Sequence, residues 1–130
     1  MNAMPPLVLY IDDNEDNLRL VARILSRYRA DTELLVAGTG QDGLRTAIES
    51  RPGLILLDNR LPDATGADVL RQLASTDVTA QIPVVILSGD SGQSTVAQLL
   101  DGGAAGFLAK PFTVPEFIAT LDRFLSPPPG

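Results

Sequence analysis

Residues 54–60 read LILLDNR, four apolar residues running straight into the carboxylate of Asp58. Two more carboxylates, Asp12 and Asp13, stand in the same place after LVLYI. PVVIL runs into the hydroxyl of Ser88, and GFLA runs into Lys110-Pro111. Each group follows its own apolar, strand-like run. If the strands are parallel, these ends share one rim, where ligands of such sheets bind. Three carboxylates brought together repel, and each resists ionisation unless a cation intervenes. Mg²⁺ suits the place, since it prefers a few carboxylates plus waters. Lys110 then offers a point charge to a phosphoryl oxygen, and Ser88 offers a hydroxyl donor. The set suits a carboxylate made ready to receive a phosphoryl group, with charge neutralised around it.

The elements between these ends must supply the parallel sheet. After LVLYI (7–11), Leu18, Val21, Ala22, Leu25 and Tyr28 recur at three- and four-residue steps, which predicts one apolar face of a helix. ELLVA (33–37) reads as the second strand. Leu44, Ala47 and Ile48 predict a helix stopping before Pro52-Gly53. LILL is the third strand, and residues 67–74 follow as a short helix carrying Val69, Leu70 and Leu73. PVVIL (83–87) is the fourth strand, with Pro83 tolerated at its first position. A helix with Val96, Leu99 and Leu100 ends at Gly102-Gly103. GFLA is the fifth strand. Thr113-Val114-Pro115-Glu116 fits a capping box opening a last helix with Phe117, Ile118, Leu121 and Leu125 on its apolar side. The order is (βα)₅. Near-continuous apolar strands imply a parallel sheet covered on both faces, a doubly wound α/β domain over residues 6–125. Residues 126–130, SPPPG, read as a stiff tail or linker.

Composition removes whole classes of chemistry. The 130 residues contain no His and no Cys, which excludes a zinc site of the usual N/S type and a Ser-His-Asp or Cys-His nucleophile. The net charge of −6, with ten basic residues in no cluster, disfavours direct contact with nucleic acid. No apolar run approaches the roughly 20 residues that cross a bilayer, and MNAMPP lacks the pattern of a signal peptide. No membrane contact and a cytoplasmic location are the expectations.

Two rival readings of Asp58 need weighing. Residues 38–43, GTGQDG, spell G-x-G-x-x-G between a strand and a helix, and Asp58 follows about 20 residues on, as in a dinucleotide fingerprint. Against it, a complete βα unit precedes the glycines, and too few strands follow for a two-halved nucleotide fold. The plainer account is a βα turn using glycine for positive φ. The second rival is a haloacid-dehalogenase-like phosphatase, with Asp-x-Asp at the strand end. Here the second position is Arg60, which does not give up its proton near neutral pH. Asp12 has a plainer account too, as a cap of the first helix.

Taken together, LYIDDNEDN, LILLDNRLPDATG, PVVILSGD and FLAKPF resemble the receiver domains of two-component response regulators over roughly residues 6–125, and the intervals between the pieces are similar to the family's. The wording of residues 9–21 resembles receivers attached to hybrid histidine kinases. The resemblance implies a flavodoxin-like sheet in the order 2-1-3-4-5, with Asp58 as phosphoacceptor. It implies Mg²⁺ (or Mn²⁺) held by Asp13, Asp58 and the backbone carbonyl of Arg60, with Asp12 acting directly or through water. Lys110 and Ser88 would contact the phosphoryl group, and Phe107 would be the aromatic switch that turns inward. The partners implied are a sensor histidine kinase or a histidine phosphotransfer domain. An output domain or a second copy would meet the face of the fourth helix, fifth strand and fifth helix. Such a domain is no enzyme beyond assisting its own phosphorylation and dephosphorylation. The alternative from another class is a pseudo-receiver, an interaction module never phosphorylated. Two departures from the family stand out. Gly43 occupies a position often held by Ala, at an expected cost of about 0.5–1 kcal/mol to the second helix. Arg60 is long and cationic, and with Asp90 across the rim it is expected to slow attack of water on the phosphoryl group.

Overall fold

The computed structural model describes residues 6–89 and 92–125. Strands and helices alternate: β1 (Leu7–Ile11), α1 (Glu15–Tyr28), β2 (Glu33–Ala37), α2 (Gly40–Ser50), β3 (Leu54–Asp58), α3 (Gly66–Ala74), β4 (Val84–Ser88), α4 (Gln93–Asp101), β5 (Gly106–Ala109) and α5 (Val114–Phe124). The five strands form one parallel sheet in the order β2-β1-β3-β4-β5. The expected doubly wound, flavodoxin-like (βα)₅ architecture is therefore met.

Strand parity divides the core in two. Val8 and Tyr10 of β1, Leu54 and Leu56 of β3, and Val85 and Leu87 of β4 face α1 and α5, where they meet Val21, Ile24, Leu25, Phe117 and Leu121. The alternate residues Leu9, Ile11, Ile55, Leu57, Val84 and Ile86 face the other layer, with Ala47, Val69, Leu73 and Leu99. Both faces of the central strands are buried, so both layers exclude water from the sheet, as a parallel sheet requires. Each such side chain contributes about 1.5–3 kcal/mol on burial.

Register then fixes the rim. Ile11 pairs with Leu57, Asp58 with Leu87, and Ser88 with Ala109. The ladder continues one step beyond the strands: Asp12 N–H donates to Ala37 carbonyl at 2.9 Å, Asn59 N–H to Leu87 at 3.2 Å, and Lys110 N–H to Ser88 at 2.8 Å. Asp12, Asp58, Ser88 and Lys110 are thus delivered to one edge by backbone pairing, before any side chain contributes.

Several local expectations need correction. β4 runs one residue later than PVVIL suggests, so Ser88 belongs to the strand and Pro83 lends only its carbonyl to Ile55 N–H, at 3.0 Å. The buried residues of α1 are Val21, Ile24 and Leu25. Ala22 is exposed, and Tyr28 is 51% exposed, with the Arg27 guanidinium 5.8 Å from its ring centre. The N-cap of α1 is Asn14, not Asp12: Asn17 N–H donates to Asn14 Oδ1 at 3.0 Å. Helix α2 buries Gly40, Gly43 and Ala47, while Leu44 is half-buried and Ile48 lies outward. Its loop glycines do not adopt positive φ; among the described residues that conformation is found at Gly103, which follows α4, and at Arg51, which caps α2. The capping box of α5 forms as expected, with Thr113 and Glu116 serving each other's backbone N–H groups.

Candidate functional site

Asp12, Asp13 and Asp58 each place one carboxylate oxygen within 4.8 Å of the others. Their surroundings differ sharply. Asp12 is 1% exposed, Asp13 is exposed and Asp58 lies between. Lys110 reaches across from beyond β5: its Nζ donates to Asp58 Oδ1 at 2.8 Å and lies 3.5 Å from Asp12 Oδ2. The Lys110-Pro111 peptide bond is cis. One ammonium against three carboxylates leaves negative charge in excess. A hard cation held by oxygen ligands fits that donor set and that charge.

The buried acid is held by residues the sequence pattern left unremarked. Tyr10 Oη donates to Asp12 Oδ2 at 2.7 Å. Asn17 Nδ2 donates to the same oxygen at 3.0 Å, and Asn14 N–H donates to Oδ1 at 2.9 Å. Burial, the hydrogen bond to Asp12 and the negative charges of Asp12 and Asp58 all raise the Tyr10 pKa far above its ordinary value. Tyr10 is therefore a neutral donor throughout the physiological range. The signal was present in the sequence: Tyr10 is two residues before Asp12, so it shares strand parity with it, and Asn17 sits one helical turn past the cap Asn14.

On the other side of Asp58, a cleft of about 530 Å³ is lined by Asp58, Asn59, Arg60, Ser88 and Gly89. Ser88 is buried at its wall, and Arg60 is exposed at its mouth. Arg60 pairs with Thr65 in an isolated antiparallel bridge, and Leu61 N–H donates to Ala64 carbonyl at 3.0 Å. The loop after Asp58 is thereby folded back on itself. It closes at Gly66, whose N–H donates to Asn59 carbonyl at 2.8 Å. A Cβ on Gly66 would lie 2.9 Å from Asn59 Oδ1, 3.1 Å from Asn59 Cα and 3.4 Å from the carbonyl oxygen of Asp58. Glycine is what lets α3 begin this close to the backbone of the site. Phe107 is half-buried on the layer of α2, α3 and α4. Asp90 lies outside the described residues.

The glycine-rich loop 38–43 is not open to a phosphate. Asp63, from the loop after Asp58, spans the start of α2: Gly40 N–H donates to Oδ1 at 2.8 Å and Gln41 N–H to Oδ2 at 3.0 Å. The anion site of that helix N-terminus is filled by the protein's own carboxylate. These two backbone donors hold the Asp63 pKa below the usual carboxylate value.

Comparison with known proteins agrees with the geometry. The chain is 31% identical over 122 residues to the polar-differentiation response regulator DivK of Brucella anthropi, covering 94% of this chain and 98% of that protein. It is 42% identical over 115 residues to the transcriptional regulatory protein KdpE of Mycobacterium tuberculosis, covering 88% of this chain but 49% of KdpE, about half its length. Among solved structures, the receiver domain of a sensor histidine kinase from Pseudomonas aeruginosa PAO1, with a magnesium ion coordinated in its active-site cleft, superposes with a TM-score of 0.83. It is 25% identical, over 92% of this chain and 96% of that one. The family described as "Response regulator receiver domain" matches residues 8–122. The chain belongs to the response regulator receiver domain family, the signalling domains of two-component systems.

Proposed function

We propose that residues 6–125 accept a phosphoryl group on Asp58 from a phosphohistidine of a sensor histidine kinase or a histidine phosphotransfer domain. The observation that carries this is Asp58 lying within 4.8 Å of Asp12 and Asp13 and 2.8 Å from Lys110, on a strand end that opens into a cleft. A carboxylate oxygen of Asp58 forms the new O–P bond. The P–N bond breaks, and the imidazole nitrogen leaves with the bonding pair. The chain has no histidine, so the donor is another protein or another part of a longer one. Asp13, Asp58 and the carbonyl of Arg60 would hold Mg²⁺ or Mn²⁺, with Asp12 beside them directly or through water. The bound cation supplies the positive charge that lets an anionic phosphoryl group approach three carboxylates. Lys110 exchanges part of its contact with Asp58 for a phosphoryl oxygen, and Ser88 donates a hydrogen bond to another.

The added charge then rearranges Ser88, Lys110 and Phe107, and through them the face of α4, β5 and α5, where an output domain or a second copy docks. Residues 126–130, outside the described residues, would serve as a tail or linker. The domain works in the cytoplasm; no helix among the described residues is long and apolar enough to cross a membrane.

Incubation with Mg²⁺ and acetyl phosphate, followed by intact mass spectrometry, should add one phosphoryl group. Asp58→Asn should abolish the addition. No addition to the wild-type protein, or undiminished addition to Asp58→Asn, would sink the proposal, and the first result would favour a pseudo-receiver.

A further inference from the structure

The carboxylate of Asp12 is unusually committed for a group in an acidic cluster. Its Oδ2 receives the Tyr10 hydroxyl at 2.7 Å and the Asn17 amide at 3.0 Å, and the Lys110 ammonium lies 3.5 Å away. Its Oδ1 receives one donor, the Asn14 N–H at 2.9 Å. A carboxylate offers about four lone-pair directions, two on each oxygen. Both directions of Oδ2 are taken, and one direction of Oδ1 remains. Asp12 is also 1% exposed, and turning it to present the other edge would break these three bonds away from water that could replace them. Tyr10 is itself fully buried in strand β1, and Asn17 is fixed in the first turn of α1 by its backbone bond to Asn14. Neither donor is a passing surface contact.

We infer that Tyr10 and Asn17 are positioning residues that hold Asp12 as a one-oxygen partner for the cation and thereby set which divalent ion the site prefers. The inference rests on the metal reading proposed above. Mg²⁺ demands near-octahedral geometry from single oxygens and keeps several waters. Ca²⁺ accepts six to eight oxygens and takes carboxylates by both oxygens at once. With Oδ2 occupied by a phenol and an amide, two-oxygen binding by Asp12 is blocked. Release Oδ2, and the same acid becomes a better Ca²⁺ ligand and a less well-aimed Mg²⁺ partner. Residues behind the ligands act in this way by orienting them, and their loss typically changes metal affinity by about 10–100-fold.

The test is isothermal titration calorimetry of Mg²⁺ and, separately, Ca²⁺ into wild type, Tyr10→Phe and Asn17→Ala, with thermal melts alongside. Tyr28→Phe, at the exposed tyrosine, is the control. The ratio of Ca²⁺ to Mg²⁺ dissociation constants should fall by about tenfold in Tyr10→Phe. It should fall in the same direction in Asn17→Ala and stay unchanged in Tyr28→Phe. A purely structural hydroxyl would lower the melting temperature and leave the ratio alone, and that result overturns the inference. If Tyr10→Phe does not fold, Asn17→Ala decides by the same criterion. Wild-type protein that binds neither ion overturns both this inference and the metal reading; wild-type binding with unmoved ratios overturns this one only.

Discussion

Arg60 is the residue whose chemistry bears most directly on how long a phosphoryl group would last. It is exposed at the mouth of the cleft that also holds Asp58, Asn59, Ser88 and Gly89. Its backbone is pinned by the bridge to Thr65, so the side chain starts from a fixed point two residues past Asp58. A guanidinium there neither donates a proton nor leaves its charged state, which limits it to binding oxygen and obstructing water. Arg60→Ala should therefore dephosphorylate faster, by up to about tenfold, a change of about 1.4 kcal/mol in the barrier. The decay of phosphorylated protein after removal of acetyl phosphate measures this, and equal rates would end the idea. Residue identity made Arg60 visible in the sequence, since it stands where a phosphatase would need its second acid. Tyr10 was hidden for the opposite reason. In LVLYI it reads as one more apolar strand residue; its parity with Asp12 hints at a shared side of the strand, and the structure supplies the 2.7 Å hydrogen bond between them.

Among the elements, α2 shows where periodicity misleads. The spacing of Leu44, Ala47 and Ile48 points to the large residues, yet the helix buries Gly40, Gly43 and Ala47. A Cβ on Gly43 would come within 2.5 Å of Ile11 Cδ1 and 2.8 Å of its Cγ1. The helix sits so near β1 that a Cβ here would have to displace the Ile11 side chain, and the expected cost of Gly43 to helix propensity is offset by close packing. Strands were legible because burial on both faces leaves a continuous apolar run. The capping box of α5 was legible because its chemistry is local. The carboxylate that covers the first two N–H groups of α2 was not, since Asp63 comes from a different loop and no periodic signal links them. The same bond joins the loop after Asp58 to α2, and it carries a pH signature. The Asp63 pKa is lowered by the Gly40 and Gln41 N–H groups, so its contribution is present above the ordinary carboxylate value of about 3.9 and is lost as pH falls through the folded value. Asp63→Asn should lower the melting temperature at pH 7, and the two melting curves should converge below about pH 4. A gap that stays constant across the titration would show that the charge on Asp63 does no such work.

At the scale of the whole molecule, the question is what fastens the last βα unit, which brings Lys110, to the first, which brings Asp12 and Asp13. The apolar layer of Phe117, Leu121 and Leu125 against Val21, Ile24 and Leu25 is one answer. Arg29 is the other. It is 1% exposed, and its Nη1 donates to Asp122 of α5 at 2.8 Å across 93 residues of chain, while Nε donates to Asp31 at 3.2 Å. Burial alone would lower the Arg29 pKa, but the hydrogen bonds to Asp31 and Asp122 outweigh it and raise the value. The pair Arg45–Asp42 is just as short, at 2.7 Å, but its side chains are 67% and 50% exposed. Distance does not separate the two pairs; burial of the guanidinium does. A hydrogen bond to a buried charged group is worth about 1.5–3 kcal/mol, whereas an exposed pair is worth about 0–1 kcal/mol. Half of the Asp122 side chain faces water, which places Asp122→Ala toward the lower end of the first range. In urea titrations, Asp122→Ala should therefore lose about 1.5–2 kcal/mol through a lower midpoint at unchanged slope. Arg45→Ala should stay within about 0.5 kcal/mol of wild type. Equal losses in the two variants would mean that the clamp between the first and last helices adds nothing beyond a surface ion pair, and that the apolar layer alone keeps Lys110 in reach of Asp58.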